Sequence, residues 1–121
     1  MAKSDMLGAW GEQRAAEYLR KQKYKIVACN YRSRLGEIDI IASKKDMIVF
    51  VEVKLRKSAE FAQAKEFVGL QKQRRILATA ELWLSESDCC LQPRFDVVEV
   101  YAPEGMQTKI PQIIHYENAF Q

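Results

Sequence analysis

Apolar positions along this chain follow two rhythms, and the switches between them mark its elements. From Ser4 or Asp5, either of which can cap a helix, to about residue 23, small and apolar residues recur at helical spacing. Leu7, Gly8, Gly11, Ala15, Ala16, Tyr18 and Leu19 share one arc, with Gln13, Arg14, Glu17, Arg20 and Lys21 opposite. Residues 24–30 read as a strand, and 31–34 as a polar linker. The period then shortens to two. Residues 38–42 and 47–53 are β-rich runs on either side of Ser43-Lys44-Lys45-Asp46, the pattern of an antiparallel hairpin. Residues 55–67 lack periodicity and predict a mobile loop. Helical spacing returns over 69–87, with Leu70, Ile76, Leu77, Ala80, Trp83 and Leu84 on one face. Pro93 opens a strand over 94–101. A last, edge-like strand follows over 110–116, tolerating Pro111 only at its start. A strand after a long helix implies a crossover to a parallel neighbour. The order is α-β-β-β-α-β with an additional terminal strand.

The charges of the hairpin sit inside its strands. Side chains alternate faces, which puts Glu37, Asp39 and Ile41 on one face and Ile38, Ile40 and Ala42 on the other. On the second strand Ile48, Phe50, Glu52 and Lys54 oppose Val49, Val51 and Val53. A two-residue turn at Lys45-Asp46 sets Asp39 across from Glu52, whereas a four-residue loop sets Glu37 there. Either leaves one face apolar and gathers the charges on the other. An odd loop would bury charge among valines. Facing carboxylates repel, and a divalent cation between them turns the repulsion into a set of hard oxygen ligands. The bland alternative is a solvated strand end.

Other residues join this face. Glu12 lies between Gly8, Ala15, Ala16 and Leu19 on the apolar side of the first helix, where a carboxylate needs a cation or donor beside it. Arg32 and Arg34 flank the acidic strand. Lys72 falls at the edge of the second helix's apolar arc and Gln73 inside it. Gln73 either points its amide toward the site or caps a nearby backbone group. Glu37 is a ligand, a support for the ligands or a solvated edge.

Composition narrows the function classes. The 121 residues suit one domain with a core of its own. A net charge of +3 permits a nucleic-acid partner without arguing for one. No apolar run approaches the ~20 residues of a membrane span. The N-terminal stretch lacks a secretory apolar region. Three cysteines, Cys29, Cys89 and Cys90, suggest reduced thiols in cytoplasm. His115 is the single histidine, which argues against Ser/His/Asp or Cys/His catalysis and against zinc-site spacing with Cys89-Cys90. No glycine-rich phosphate loop precedes a helix.

A hard-metal site of Glu12, Asp39 and Glu52, assisted by Lys54, remains. It suits phosphodiester hydrolysis with Mg²⁺ (or Mn²⁺). Arg32, Arg34, Arg56, Lys57, Lys72, Arg74 and Arg75 can hold a polyanion backbone. Asp39 followed by Glu52-x-Lys54, after a helix bearing Glu12, resembles the PD-(D/E)xK nuclease superfamily. More narrowly, GEIDIIA, VFVEVKLR, KQRRI and RFDVVEV look like the uncharacterised bacterial UPF0102 (YraN-like) family, similar to archaeal Holliday-junction resolvases. The likeness runs from Gly11-Glu12 to Val100. It implies a restriction-endonuclease-like αβββαβ core, a central mixed sheet flanked by helices, with an extra C-terminal strand. It also implies metal binding by Asp39 and Glu52, Lys54 as the catalytic lysine, Glu12 as auxiliary acid, Lys72 as the helix lysine, DNA as substrate and a homodimer. The alternative is a catalytically silent nucleic-acid-binding module.

Overall fold

The computed structural model describes residues 3–58 and 68–121. Its elements are α1 (Lys3–Lys21), β1 (Lys25–Ser33), β2 (Gly36–Lys44), β3 (Met47–Arg56), α2 (Leu70–Ser87), β4 (Gln92–Tyr101) and β5 (Gln112–Phe120). A 3₁₀ turn, Gly105–Gln107, precedes β5. The strands lie in the order β1-β2-β3-β4-β5. Among the described residues only the β3–β4 pair is parallel, as a crossover through α2 requires. The fold is α/β, with the mixed sheet and the extra C-terminal strand that the sequence implies.

The hairpin closes on the two-residue turn. Lys44 pairs with Met47, and Lys45 adopts a φ of 55°. β1 runs three residues beyond the expected strand: Tyr31, Arg32 and Ser33 pair with Ile38, Glu37 and Gly36 instead of forming a linker. β3 also continues past its expected end, because β4 supplies a parallel ladder in which Leu55 faces Val100 and Arg56 faces Tyr101. β5 begins after Pro111, which has no N–H to give a ladder. That leaves Ile110 91% exposed outside the strand. The rest of the expected mobile loop, residues 59–67, lies outside the described residues.

The two helices cover opposite faces of the sheet. Ala15, Ala16 and Leu19 of α1 pack on Ile40, Ala42, Val49, Val51, Val98 and Val100. Ile76 and Ala80 of α2 pack on Ile41, Ile48, Phe50 and Val97. Each fully buried aliphatic or aromatic side chain contributes about 1.5–3 kcal/mol, so these layers stabilise the sheet independently of its polar end. Two expectations fail. Leu70 is 63% exposed, because the first turn of α2 lies beyond the apolar part of the sheet. Ile38 packs under α2 with Ile41, not with Ile40 and Ala42. Alternation breaks at Asp39, where the β2–β3 ladder stops and Asn30 of the neighbouring strand takes a φ of 54°.

Gly36 sets how closely β2 starts beneath α2. Its φ is 155°, and a Cβ there would lie 2.9 Å from Thr79 Oγ1 and 3.3 Å from the Arg75 carbonyl. A bare backbone at this point brings the first turns of α2 over the acidic end of the hairpin.

Candidate functional site

The β2–β3 ladder ends at Ile40 opposite Val51. The next pair in that register is Asp39 and Glu52, as the tight turn predicts. Here a side chain replaces the backbone acceptor: the Val53 N–H donates to Asp39 Oδ2 at 2.8 Å. Glu52 is buried at 5% exposure. Burial, followed by the charge of Glu52, pushes the Asp39 carboxyl up to about 8 against the pull of the Val53 N–H. The charge of Glu12 and a hydrogen bond with Glu52 add to the rise. The facing acids therefore compete for ionisation, the behaviour expected of like charges sharing one site.

Lysines from two elements answer that competition. Lys72, on the first turn of α2, places Nζ against Glu52 Oε2. Lys54, two residues along β3, places its own Nζ 3.7 Å from the same oxygen. Burial lowers the Lys54 pKa, as do the charges of Lys72 and Arg56, while Glu52 and Asp39 oppose the fall. Burial also works against the charge on Lys72, but the hydrogen bond and charge of Glu52 outweigh it, and its pKa rises.

Glu12 reaches the pair from α1. It is half-buried, and burial raises its pKa, as do the charges of Glu37 and Glu52. Hydrogen bonds with Asn30 and Asp39 pull it down again. The expected donor beside Glu12 is thus the Asn30 amide. Asn30 lies in β1 between Cys29 and Tyr31, which pair with Ile40 and Ile38, so it stands beside Asp39 in the sheet. Sequence reading missed this residue. Its type was the available signal, since Asn is among the residues that tolerate a left-handed backbone inside a strand.

The acids open onto a cleft of about 600 Å³ walled by Arg32, Glu37, Gln71, Lys72 and Arg75. Glu37 is exposed on the cleft wall, with Arg32 Nε 2.7 Å from its carboxylate. Arg34 and Lys57 are exposed, in the β1–β2 turn and just after β3. Arg74 is exposed but does not line the cleft. Arg56 is turned inward, with Nε donating to Glu99 at 3.3 Å, and Glu99 also accepts from Tyr101 at 2.8 Å. Gln73 does not support the acids. One helical step from Lys72 turns it away, and its amide donates to the Val68 carbonyl at 2.8 Å beneath its own helix.

His115 serves a separate, buried cluster. Asp96, fully buried, lies 2.7 Å from His115 Nε2 and accepts two bonds from Arg94 and one from the Asn118 N–H. Arg94 also donates to the Tyr24 hydroxyl, and Tyr18 meets His115 Nδ1. The cluster ties α1 and β4 to the edge strand β5.

Among the described residues no three His, Cys, Asp or Glu side chains converge closely enough to hold a metal ion. Asp39 and Glu52 offer hard oxygens to the cleft, while Glu12, the third ligand expected from the sequence, lines a different hollow and reaches the pair through its hydrogen bond with Asp39. That donor set fits Mg²⁺, which keeps several waters and binds through one or two carboxylates together with substrate phosphates. The feature such an ion would answer is the pair of carboxyls facing each other at the ladder's end. Among the described residues no helix is long and apolar enough to cross a membrane.

A model described as uncharacterised protein family UPF0102 matches residues 11–100. A UPF0102 protein of Alkaliphilus oremlandii is 48% identical over 119 residues, spanning 94% of this chain and 97% of its own. One from Rhodococcus opacus is 45% identical over 121 residues, spanning 99% of this chain and 100% of its own. One from Syntrophotalea carbinolica is 50% identical over 95 residues, spanning 78% of this chain and 77% of its own.

Proposed function

The chain belongs to the uncharacterised protein family UPF0102, and from its acidic pair we propose that it is a metal-dependent endonuclease of the PD-(D/E)xK type. Its substrate in this reading is DNA, with branched or junction forms foremost, through the likeness to archaeal Holliday-junction resolvases. The same likeness implies a homodimer. The observation that carries the reading is the buried Asp39–Glu52 pair, with Asp39 pushed up to about 8 and lysines from two elements drawn to Glu52. Such strain is retained where a site is pre-organised for a charge that arrives later.

Asp39 and Glu52 would hold Mg²⁺ or Mn²⁺. When bound, the ion polarises the scissile phosphoryl oxygen and lowers the pKa of its water. Lys54, whose charge burial disfavours, orients the attacking water and neutralises the negative charge that develops in the transition state. Glu12 steadies Asp39 through their hydrogen bond. Arg75 and Lys72 on one wall of the cleft, with Arg32 on the other, face the phosphodiester backbone.

The silent-module alternative draws on one observation: the Lys72 ammonium lies against Glu52 Oε2, so a side chain of the chain itself can supply the counter-charge. Incubation with Mg²⁺ or Mn²⁺ and a panel of duplex, single-stranded and junction DNA separates the two. Cleavage is expected from the wild type and is lost in Asp39→Ala. Glu52→Gln is expected to weaken Mg²⁺ binding by roughly ten-fold or more, since even outer-shell partners carry that much. Nucleic-acid binding without cleavage under either metal would leave the silent module. Cleavage that survives Asp39→Ala would remove the site assignment.

A further inference from the structure

Glu52 Oε2 is claimed twice. Lys72 Nζ lies directly against it and Lys54 Nζ stands 3.7 Å away. A divalent ion held by Asp39 and Glu52 would share that carboxylate with two ammoniums, and cations within a few ångströms of one another repel strongly in a partly dry site. One ammonium has to yield. Lys54 is anchored mid-strand, with 23% of its side chain exposed. Lys72 has 50% of its side chain exposed and extends from the first turn of α2 across the cleft. Its neighbours there are Gln71 and, one turn on, Arg75, both lining that cleft.

We propose that Lys72 is an exchangeable counter-ion: it neutralises Glu52 while the acids are metal-free, and a divalent ion frees its ammonium to bind a phosphodiester oxygen in the cleft beside Gln71 and Arg75. The inference rests on reading Asp39 and Glu52 as metal ligands. It goes further, because it couples the two binding events through one named side chain. Metal-free protein has Lys72 committed to an internal carboxylate and presents a weaker polyanion surface. Metal-loaded protein presents a stronger one. Linkage makes the effect reciprocal, so a bound polyanion strengthens metal binding by the same factor. A fixed structural ion pair between Lys72 and Glu52 would produce no such coupling.

The test compares wild type with Lys72→Gln, Lys72→Arg and Glu52→Gln. Thermal unfolding first confirms that each variant folds, as expected for changes at a half-exposed position and for an isosteric amide. Mg²⁺ is then titrated by calorimetry at one fixed pH for all four proteins. Lys72→Gln is expected to bind Mg²⁺ at least about five-fold more tightly than wild type, at the lower end of ordinary coupling. Lys72→Arg, which keeps the competing charge, should stay near wild type. Unchanged or weaker Mg²⁺ binding in Lys72→Gln overturns the inference and leaves the ligand assignment standing. Equal Mg²⁺ binding by wild type and Glu52→Gln overturns the ligand assignment and this inference with it. A second readout uses a phosphorothioate oligonucleotide, which resists hydrolysis. Mg²⁺ should raise its affinity for wild type by about five-fold or more, and the gain should shrink in Lys72→Gln. An equal gain in both proteins also overturns the exchange.

Discussion

Asp39 Oδ2 accepts the Val53 N–H at 2.8 Å, one residue beyond the last backbone pair of the β2–β3 ladder. The bond holds the carboxylate at the strand end and aims it toward Glu52. It also lets an isosteric replacement keep the fold while removing the charge.

That replacement gives a pH signature. Burial and the charge of Glu52 push the Asp39 carboxyl up to about 8 in the folded chain, against about 3.9 when unfolded. Between those values the folded state binds more protons. The stability contributed by neutral Asp39 is therefore fully present below about pH 4 and lost as pH rises through about 8. Asp39→Asn keeps the acceptor for Val53 and should be more stable than wild type by about 0.5–2 kcal/mol at about pH 9. The difference should shrink toward about pH 5, and thermal unfolding across pH measures it. In the wild type, Mg²⁺ binding should strengthen up to about pH 8 and release a proton below it. Calorimetry in buffers of different ionisation enthalpy reads that release.

Asn30 separates backbone from side-chain roles. At a φ of 54°, Asn30→Gly keeps the conformation and should unfold near the wild-type temperature. Asn30→Ala should lose about 1–2 kcal/mol to the left-handed backbone. Both remove the amide that pulls the Glu12 pKa down, so Glu12 should titrate higher in each variant by carboxyl NMR. An unmoved Glu12 in Asn30→Gly would reduce Asn30 to a backbone role.

The Asp96 cluster makes the edge strand depend on a buried charge. Burial raises the Asp96 pKa, but bonds from His115, Arg94 and the Asn118 N–H overcome it and hold the carboxyl below its usual range. Its contribution is present above about pH 4 and lost as pH falls through the folded value. Asp96→Asn removes the buried counter-charge of Arg94 and leaves it only the exposed Glu117, 3.7 Å away. The loss should cost about 3 kcal/mol, read by urea unfolding at neutral pH. Because the cluster lies apart from the cleft, Mg²⁺ affinity of the folded variant should match wild type.

The hairpin was legible because its signals agree. The valine alternation and the placement of Glu52 and Lys54 both demand an even-length loop, because a slip of one residue would bury charge. The structure takes the two-residue turn at Lys45-Asp46 rather than the four-residue loop. Helix α2 was legible from its period, and the parallel β3–β4 pair from the helix between them. Strand ends were not. Leu55 and Arg56 carry no periodic signal of their own and are strand because β4 offers them hydrogen bonds. Tyr31 to Ser33 are strand because β2 does the same.

The same division holds at the acidic end of the hairpin. The sequence by itself determined that Asp39, Glu52 and Lys54 gather at one end of the hairpin, since either even-length loop keeps the charges off the valine face. It also placed Glu12 on the inward side of α1. Only the tertiary structure decided which cation answers Glu52, because Lys72 and Gln73 differ by a single helical step, and that step sends one to Glu52 and the other to the Val68 carbonyl. It likewise turned Arg56 inward to Glu99 and brought Asn30 to Glu12. Those contacts join elements far apart in the chain. Their geometry depends on how closely helices approach the sheet, down to the missing Cβ of Gly36, a distance no local pattern encodes.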